Sequence, residues 1–176
     1  VPLRNLQIVA APNLPCVAPY DNVTKYPLCN YSKSIADLEK RFGPAAANFT
    51  KVIDYLCNKG VRPSTSTDAN ARTATCTAGT PNFAITIHSV TPHMHMLGKT
   101  FSLVVCRQDP TCAVTNQESL VVVPNYNFDN QFGYPLSTPI VVNPGDSYKI
   151  TCTYDPTLRK LNPQTKNLPP RYITWG

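Results

Sequence analysis

The run Tyr148-Lys149-Ile150-Thr151-Cys152-Thr153-Tyr154 decides the fold class. In extended chain, successive side chains point to opposite faces, so Tyr148, Ile150, Cys152 and Tyr154 share one face and Lys149, Thr151 and Thr153 the other. A strand with one face in a core is the structure that satisfies this pattern. Pro144-Gly145-Asp146 just upstream is a turn signal. Working outward, Phe83, Ile85 and Ile87 alternate with Ala84, Thr86 and His88, and Phe101, Leu103 and Val105 alternate with Ser102, Val104 and Cys106. Leu120 to Val123 and Ile140 to Val142 are short apolar runs bounded by proline. Short strands separated by turn signals predict a mainly β chain, an antiparallel β-sandwich or jelly roll.

The N-terminal part reads differently. Residues 1–31 are punctuated by Pro and Asn, with one strand-like run, Leu6-Gln7-Ile8-Val9, and are expected to be extended chain tied down by disulfides. From Ser34 a helical period appears, with Ile35, Leu38 and Phe42 at i, i+3 and i+7 before a stop at Gly43. Pro44 suits the first turn of a second helix, in which Phe49, Val52, Ile53, Leu56 and Cys57 form one apolar face before Gly60. The expectation is a disulfide-tied helical hairpin over about residues 34–59, with Cys57 bonded against the rest of the protein. Residues 61–72 read as a linker, dividing the chain into an N-terminal segment, 1–72, and a β domain, 73–176.

Composition narrows the class. The 176 residues carry 16 Lys+Arg, 10 Asp+Glu and seven Cys, and only 15% are charged, well under the roughly 25% usual for soluble proteins. At 42% hydrophobic the chain can bury a core, and its polarity comes from Thr, Asn, Pro and Ser. The net charge of +6 is scattered, with doublets only at Lys40-Arg41 and Arg159-Lys160, so no nucleic-acid surface is indicated. No run approaches the ~18 apolar residues of a membrane span. Residues 1–15 lack a leader pattern, so the sequence is expected to begin after a cleavage.

Seven cysteines without a Cys-x-x-Cys pattern read as disulfides formed in an oxidising compartment, buried free thiols being the alternative. Cys106 and Cys112, flanking Gln108-Asp109-Pro110, are the easiest local pair, and Cys16, Cys29, Cys57 and Cys76 are further disulfide candidates. Asn22-Val23-Thr24, Asn30-Tyr31-Ser32 and Asn48-Phe49-Thr50 are acceptor sequons. Together these features predict a secreted, extracellular glycoprotein with N-linked glycans on its N-terminal third.

Two of the three histidines lie in Thr91-Pro92-His93-Met94-His95-Met96-Leu97-Gly98-Lys99, between predicted strands. Spaced i, i+2 in extended chain, His93 and His95 can offer two imidazoles to one metal ion. The alternative is a pair of exposed loop histidines, or one buried and bonded to backbone. Met94 and Met96 project oppositely and read as packing. His88 sits on the polar side of its strand and reads as structural.

That stretch, followed by the strand Thr100 to Cys106, then Pro124-Asn125-Tyr126-Asn127-Phe128-Asp129, then Asn143-Pro144-Gly145-Asp146 leading into Ile150 to Tyr154, resembles a known domain. Over about residues 73–176 the chain is similar to the C-terminal domain of the copper type II, ascorbate-dependent monooxygenases, relatives of peptidylglycine α-hydroxylating and dopamine β-monooxygenases. The resemblance implies copper as cofactor, with His93 and His95 as ligands of the dioxygen-activating ion and a methionine completing a soft, redox-competent site. That methionine follows a stretch matching Tyr172-Ile173-Thr174-Trp175-Gly176, where these residues end, so the copper site is expected to be partial. The family's second copper belongs to a preceding domain with its own histidines, and residues 1–72 contain none. The resemblance also implies that Cys152 pairs with a cysteine just after the missing methionine, which makes it the unpaired candidate here.

The first reading is therefore a partial copper domain of monooxygenase descent, inactive as this chain alone, because hydroxylation needs the thioether and an electron supply. A second is a non-catalytic subunit of an extracellular assembly or filament, joined to other copies of itself through an open sheet edge that Val1 to Ala11 could complete. A third is a secreted ligand-binding or signalling protein.

Overall fold

In the computed structural model, which describes residues 29–56, 65–66, 73–79, 82–155 and 157–168, the elements run in the order β1 (Cys29–Asn30), α1 (Tyr31–Phe42), α2 (Pro44–Leu56), β2 (Thr65–Ser66), β3 (Thr73–Gly79), β4 (Ile85–Val90), β5 (Gly98–Cys106), β6 (Gln117–Val123), β7 (Tyr134–Val142), β8 (Ser147–Tyr154) and α3 (Leu158–Leu161). The described chain is mainly β, with antiparallel sheets and a few short helices. Leu6 to Val9, Val1 to Ala11, Cys16, Asn22, Cys57, Gly60 and Tyr172 to Gly176 lie outside the described residues, as do the side chains of Cys29, Asn30 and Cys76. Among the described residues no helix is long and apolar enough to cross a membrane.

The alternating run at 148–154 becomes β8, an inner strand of a four-stranded sheet ordered β3-β8-β5-β6. Tyr148, Ile150, Cys152 and Tyr154 are all buried, and opposite them in register stand Val105, Leu103 and Phe101 of β5. Directly paired residues share a face, so the two strands combine their apolar sets into one surface. β6 adds Val123 opposite Phe101 and Val121 opposite Leu103. The pairing then jumps to Val104 with Ser119, which leaves Leu120 as an extra residue, and this bulge lets Leu120 and Val121 both turn inward.

A second, two-stranded sheet pairs β4 with β7. Ile85, Ile87 and Val90 of β4, with Tyr134, Leu136 and Ile140 of β7, pack on the apolar face of the larger sheet. Here the structure departs from the sequence reading in three places. Phe83 falls outside β4 and is exposed, and β7 runs well upstream of the apolar triplet, through Pro139 and Pro135 to Tyr134. Between Ile87 and Ser89 of β4 the partner jumps from Ile140 to Pro135, so the chain around Pro139 bulges out of the ladder and no N–H is missed there. Opposite that bulge His88 is half-buried rather than fully on the polar side.

The hairpin also departs from expectation. α1 starts at Tyr31, three residues early, and buries Ile35 and Leu38. α2 buries Ala47 and Thr50, while Phe49, Val52 and, on α1, Phe42 stay exposed. Two short helices touch along a narrow stripe, and small Ala47 allows the close approach that the bulkier face would block.

Asp146 ties the far end of the β body. Its carboxylate Oδ2 accepts from Asn143 N–H at 2.9 Å and Arg107 Nη1 at 2.7 Å, and Oδ1 from Gln108 N–H at 3.1 Å and Gln108 Nε2 at 2.9 Å. The β7–β8 turn needs Gly145, whose φ is +91° and whose missing Cβ would lie 2.6 Å from Gln108 Oε1. Beside it Cys106 and Cys112 form a disulfide with a Cα–Cα distance of 5.0 Å. Cys152 is a buried free thiol; burial pushes it up to about 12, only partly offset by a hydrogen bond with Tyr154, so it stays protonated and unreactive at neutral pH.

Candidate metal centre

Strand pairing brings two loops together. The end of β4 pairs with the start of β7 (Val90 with Tyr134), and the start of β5 lies against the end of β6 (Phe101 with Val123). The β4–β5 loop, residues 91–97, and the β6–β7 loop, residues 124–133, therefore join the same two strand ends and run side by side.

The first loop keeps the alternation of an extended chain. Pro92 and Met94 are buried while His93 and His95 are exposed, so the imidazoles emerge on one side and Met94 anchors the loop in the core. The ring centroids of His93 and His95 are 5.4 Å apart with planes at 83°. His95 also meets Phe128 edge to face at 6.4 Å. Met96 points elsewhere, its Sδ accepting from Asn162 Nδ2 at 2.9 Å.

The second loop holds the first in place. Tyr126 Oη accepts from Met94 N–H at 2.9 Å and donates to Met94 C=O at 2.7 Å, satisfying both peptide groups between the two histidines. Burial raises the Tyr126 hydroxyl, against the lowering effect of its bond to the Met94 backbone, so it remains a donor at neutral pH. A register shift between Gly98 and Thr100 in the β5–β8 ladder coincides with Lys99 C=O accepting Tyr126 N–H at 2.8 Å. Gly98 closes the turn, its N–H bonded to His95 C=O at 2.9 Å, and a Cβ there would lie 2.9 Å from both Met94 Cβ and Tyr126 Cδ1. Tyr126→Phe is expected to cost about 2–3 kcal/mol, since it strands the N–H and C=O of a buried residue. A lowered unfolding midpoint in urea, with unchanged slope, is the measurement.

Gln131 sets the chemistry of His93. Its Nε2 donates to Phe128 C=O at 3.0 Å, which turns Oε1 toward His93 Nδ1 at 2.6 Å. An amide oxygen can only accept, so Nδ1 carries the proton and the Nε2 lone pair is left for a ligand. This is the outer partner a metal-bound histidine ordinarily has. Two imidazoles sharing one ion through nitrogens at about 2 Å place their ring centres roughly 5–6 Å apart, a spacing compatible with the 5.4 Å between His93 and His95. Imidazole suits copper. Among the described residues no third His, Cys, Asp or Glu joins them to make a larger cluster.

The loop pair sits within a longer match: residues 47–163 fit the copper type II ascorbate-dependent monooxygenase, C-terminal domain. The chain belongs to this family. The match begins inside α2 and spans the four-stranded sheet, the β4-β7 sheet and α3. No curated protein matches the chain at a significant level. The family's copper dependence supports copper binding here. Tyr126, Phe128 and Gln131 gained their roles only from the structure; Tyr126 and Phe128 lay in a segment quoted for its resemblance, but no spacing rule links any of them to residues 93–95.

Proposed function

We propose that this chain is a copper-binding domain of a secreted glycoprotein, a β-sandwich in which His93 and His95 hold one copper ion. The observation that carries the reading is the pair of exposed imidazoles with ring centres 5.4 Å apart, one of them held in a ligating tautomer by Gln131. The packing of β4 and β7 on the larger sheet supports the sandwich. Bound copper would supply one-electron chemistry with dioxygen, as in the family. The chain's own residues would bind and orient: Gln131 keeps the Nδ1 proton, Phe128 braces the His95 ring, and Tyr126 fixes the peptide between them.

The sequence contains only two methionines, Met94 in the core and Met96 bonded to Asn162, so neither offers its sulfur to the pair. The reading is therefore a copper-binding unit that needs a further ligand and an electron source to hydroxylate a substrate. Titration of metal-free protein with Cu(II) should saturate at a single ion, with nitrogen hyperfine structure from two imidazoles in its electron paramagnetic resonance spectrum. Absence of a nitrogen-bound copper signal would overturn the proposal.

A further inference from the structure

α2 has a second apolar face. Ala47 and Thr50 are buried, but Phe49, Val52 and Tyr55 are 58%, 54% and 69% exposed, an unusual row of large apolar groups for a solvent-facing helix. Asn48 is exposed on that side: at 3.6 residues per turn, positions 48, 52 and 55 stack at i, i+4 and i+7, with Phe49 adjacent. Asn48-Phe49-Thr50 is an acceptor sequon. Thr50 is buried, its hydroxyl donating to Ala46 C=O at 3.1 Å, so the folded helix hides half the sequon and the modification must precede folding. The exposed Asn48 side chain then accommodates the product without disturbing the hairpin.

We propose that Asn48 carries an N-linked glycan whose inner sugars lie over Phe49, Val52 and Tyr55 and shield them from water. The inference rests on the reading of the chain as secreted. In the attachment step, Asn48 Nδ2 forms a bond to the anomeric carbon of an oligosaccharide carried on a lipid diphosphate. The bond from that carbon to the phosphate oxygen breaks, the lipid diphosphate leaves with the electron pair, and the amide nitrogen gives up one proton. The C–H face of a pyranose is apolar and electropositive, which suits the electron-rich faces of Phe49 and Tyr55.

The test uses the full chain secreted from a glycosylating eukaryotic cell. Trypsin, cutting after Arg41 and Lys51, releases residues 42–51 as one peptide, and its mass should show the glycan. Binding of an apolar fluorescent dye should rise roughly two-fold in Asn48→Gln, as expected when a shielded apolar patch is bared. The same rise should follow enzymatic removal of glycans from folded wild-type protein, which needs no variant to fold. An unmodified 42–51 peptide beside occupied Asn22 or Asn30 overturns this inference alone. No glycan at any sequon overturns the secreted reading with it. A modified peptide whose loss leaves dye binding unchanged overturns the shielding.

Discussion

His93→Ala is expected to abolish stoichiometric copper binding while leaving the fold intact. Removing one of the two proposed ligands leaves a single imidazole, and affinity should fall by more than the ~10–100-fold typical of losing an outer partner alone. Stability should stay within about 0.5 kcal/mol, because His93 is exposed and the loop is held by Tyr126 and Gly98 rather than by the ring. Gln131→Leu should lie between, about 10–100-fold weaker than wild type, since it frees the His93 proton to occupy either nitrogen. Competition against a copper chelator gives the affinities, and urea unfolding gives the stabilities. A His93→Ala protein that binds copper as tightly as wild type would remove the imidazole pair from consideration.

Asp146→Ala should be strongly destabilising, at about 3–4 kcal/mol. The carboxylate is 2% exposed and accepts from Asn143, Gln108 and Arg107, so its loss takes an acceptor from the N–H groups of Asn143 and Gln108 and removes a partner of Arg107. Arg107 retains Glu118 and Val141 C=O, which limits the damage. The same residue gives a pH signature. Burial alone would raise the Asp146 carboxyl, but the bonds from Asn143, Arg107 and Gln108 more than offset it and hold it below the ordinary carboxylate range. A carboxyl lowered on folding contributes stability that is fully present above its unfolded value, near 3.9, and is lost as pH falls through its folded value. Wild-type stability should therefore drop below about pH 4, and Asp146→Ala should drop less over that interval. Asp109 is also lowered, by bonds from Thr111, Asn116 and Ala113, but in both proteins alike, so the difference between the two curves isolates Asp146. Parallel curves would show that the network does not act through this charge.

The fold was legible wherever a pattern is local. Period-two alternation at 148–154 and 101–105 identified buried faces residue by residue, because strand geometry leaves only two directions for a side chain. The pairing of Cys106 with Cys112 was readable because a separation of six residues keeps the two ends of the loop close. Helical periodicity in α2 correctly marked a helix and an apolar face, but not which face would be covered. That depends on the neighbour, and α1 packs where Ala47 allows it to approach.

By itself, the sequence determined the buried faces of β5 and β8, the presence of helices at α1 and α2, and the exposed side of the 92–95 loop, since each follows from the spacing of neighbouring residues. Only the tertiary structure decided what surrounds the histidines. Tyr126, Phe128 and Gln131 reach Met94, His95 and His93 across more than thirty positions of chain, brought there by two separate antiparallel pairings, β4 with β7 and β5 with β6. Register between distant strands is set by the sum of many apolar contacts and by bulges at Leu120 and along β7, and no short window of residues contains that sum.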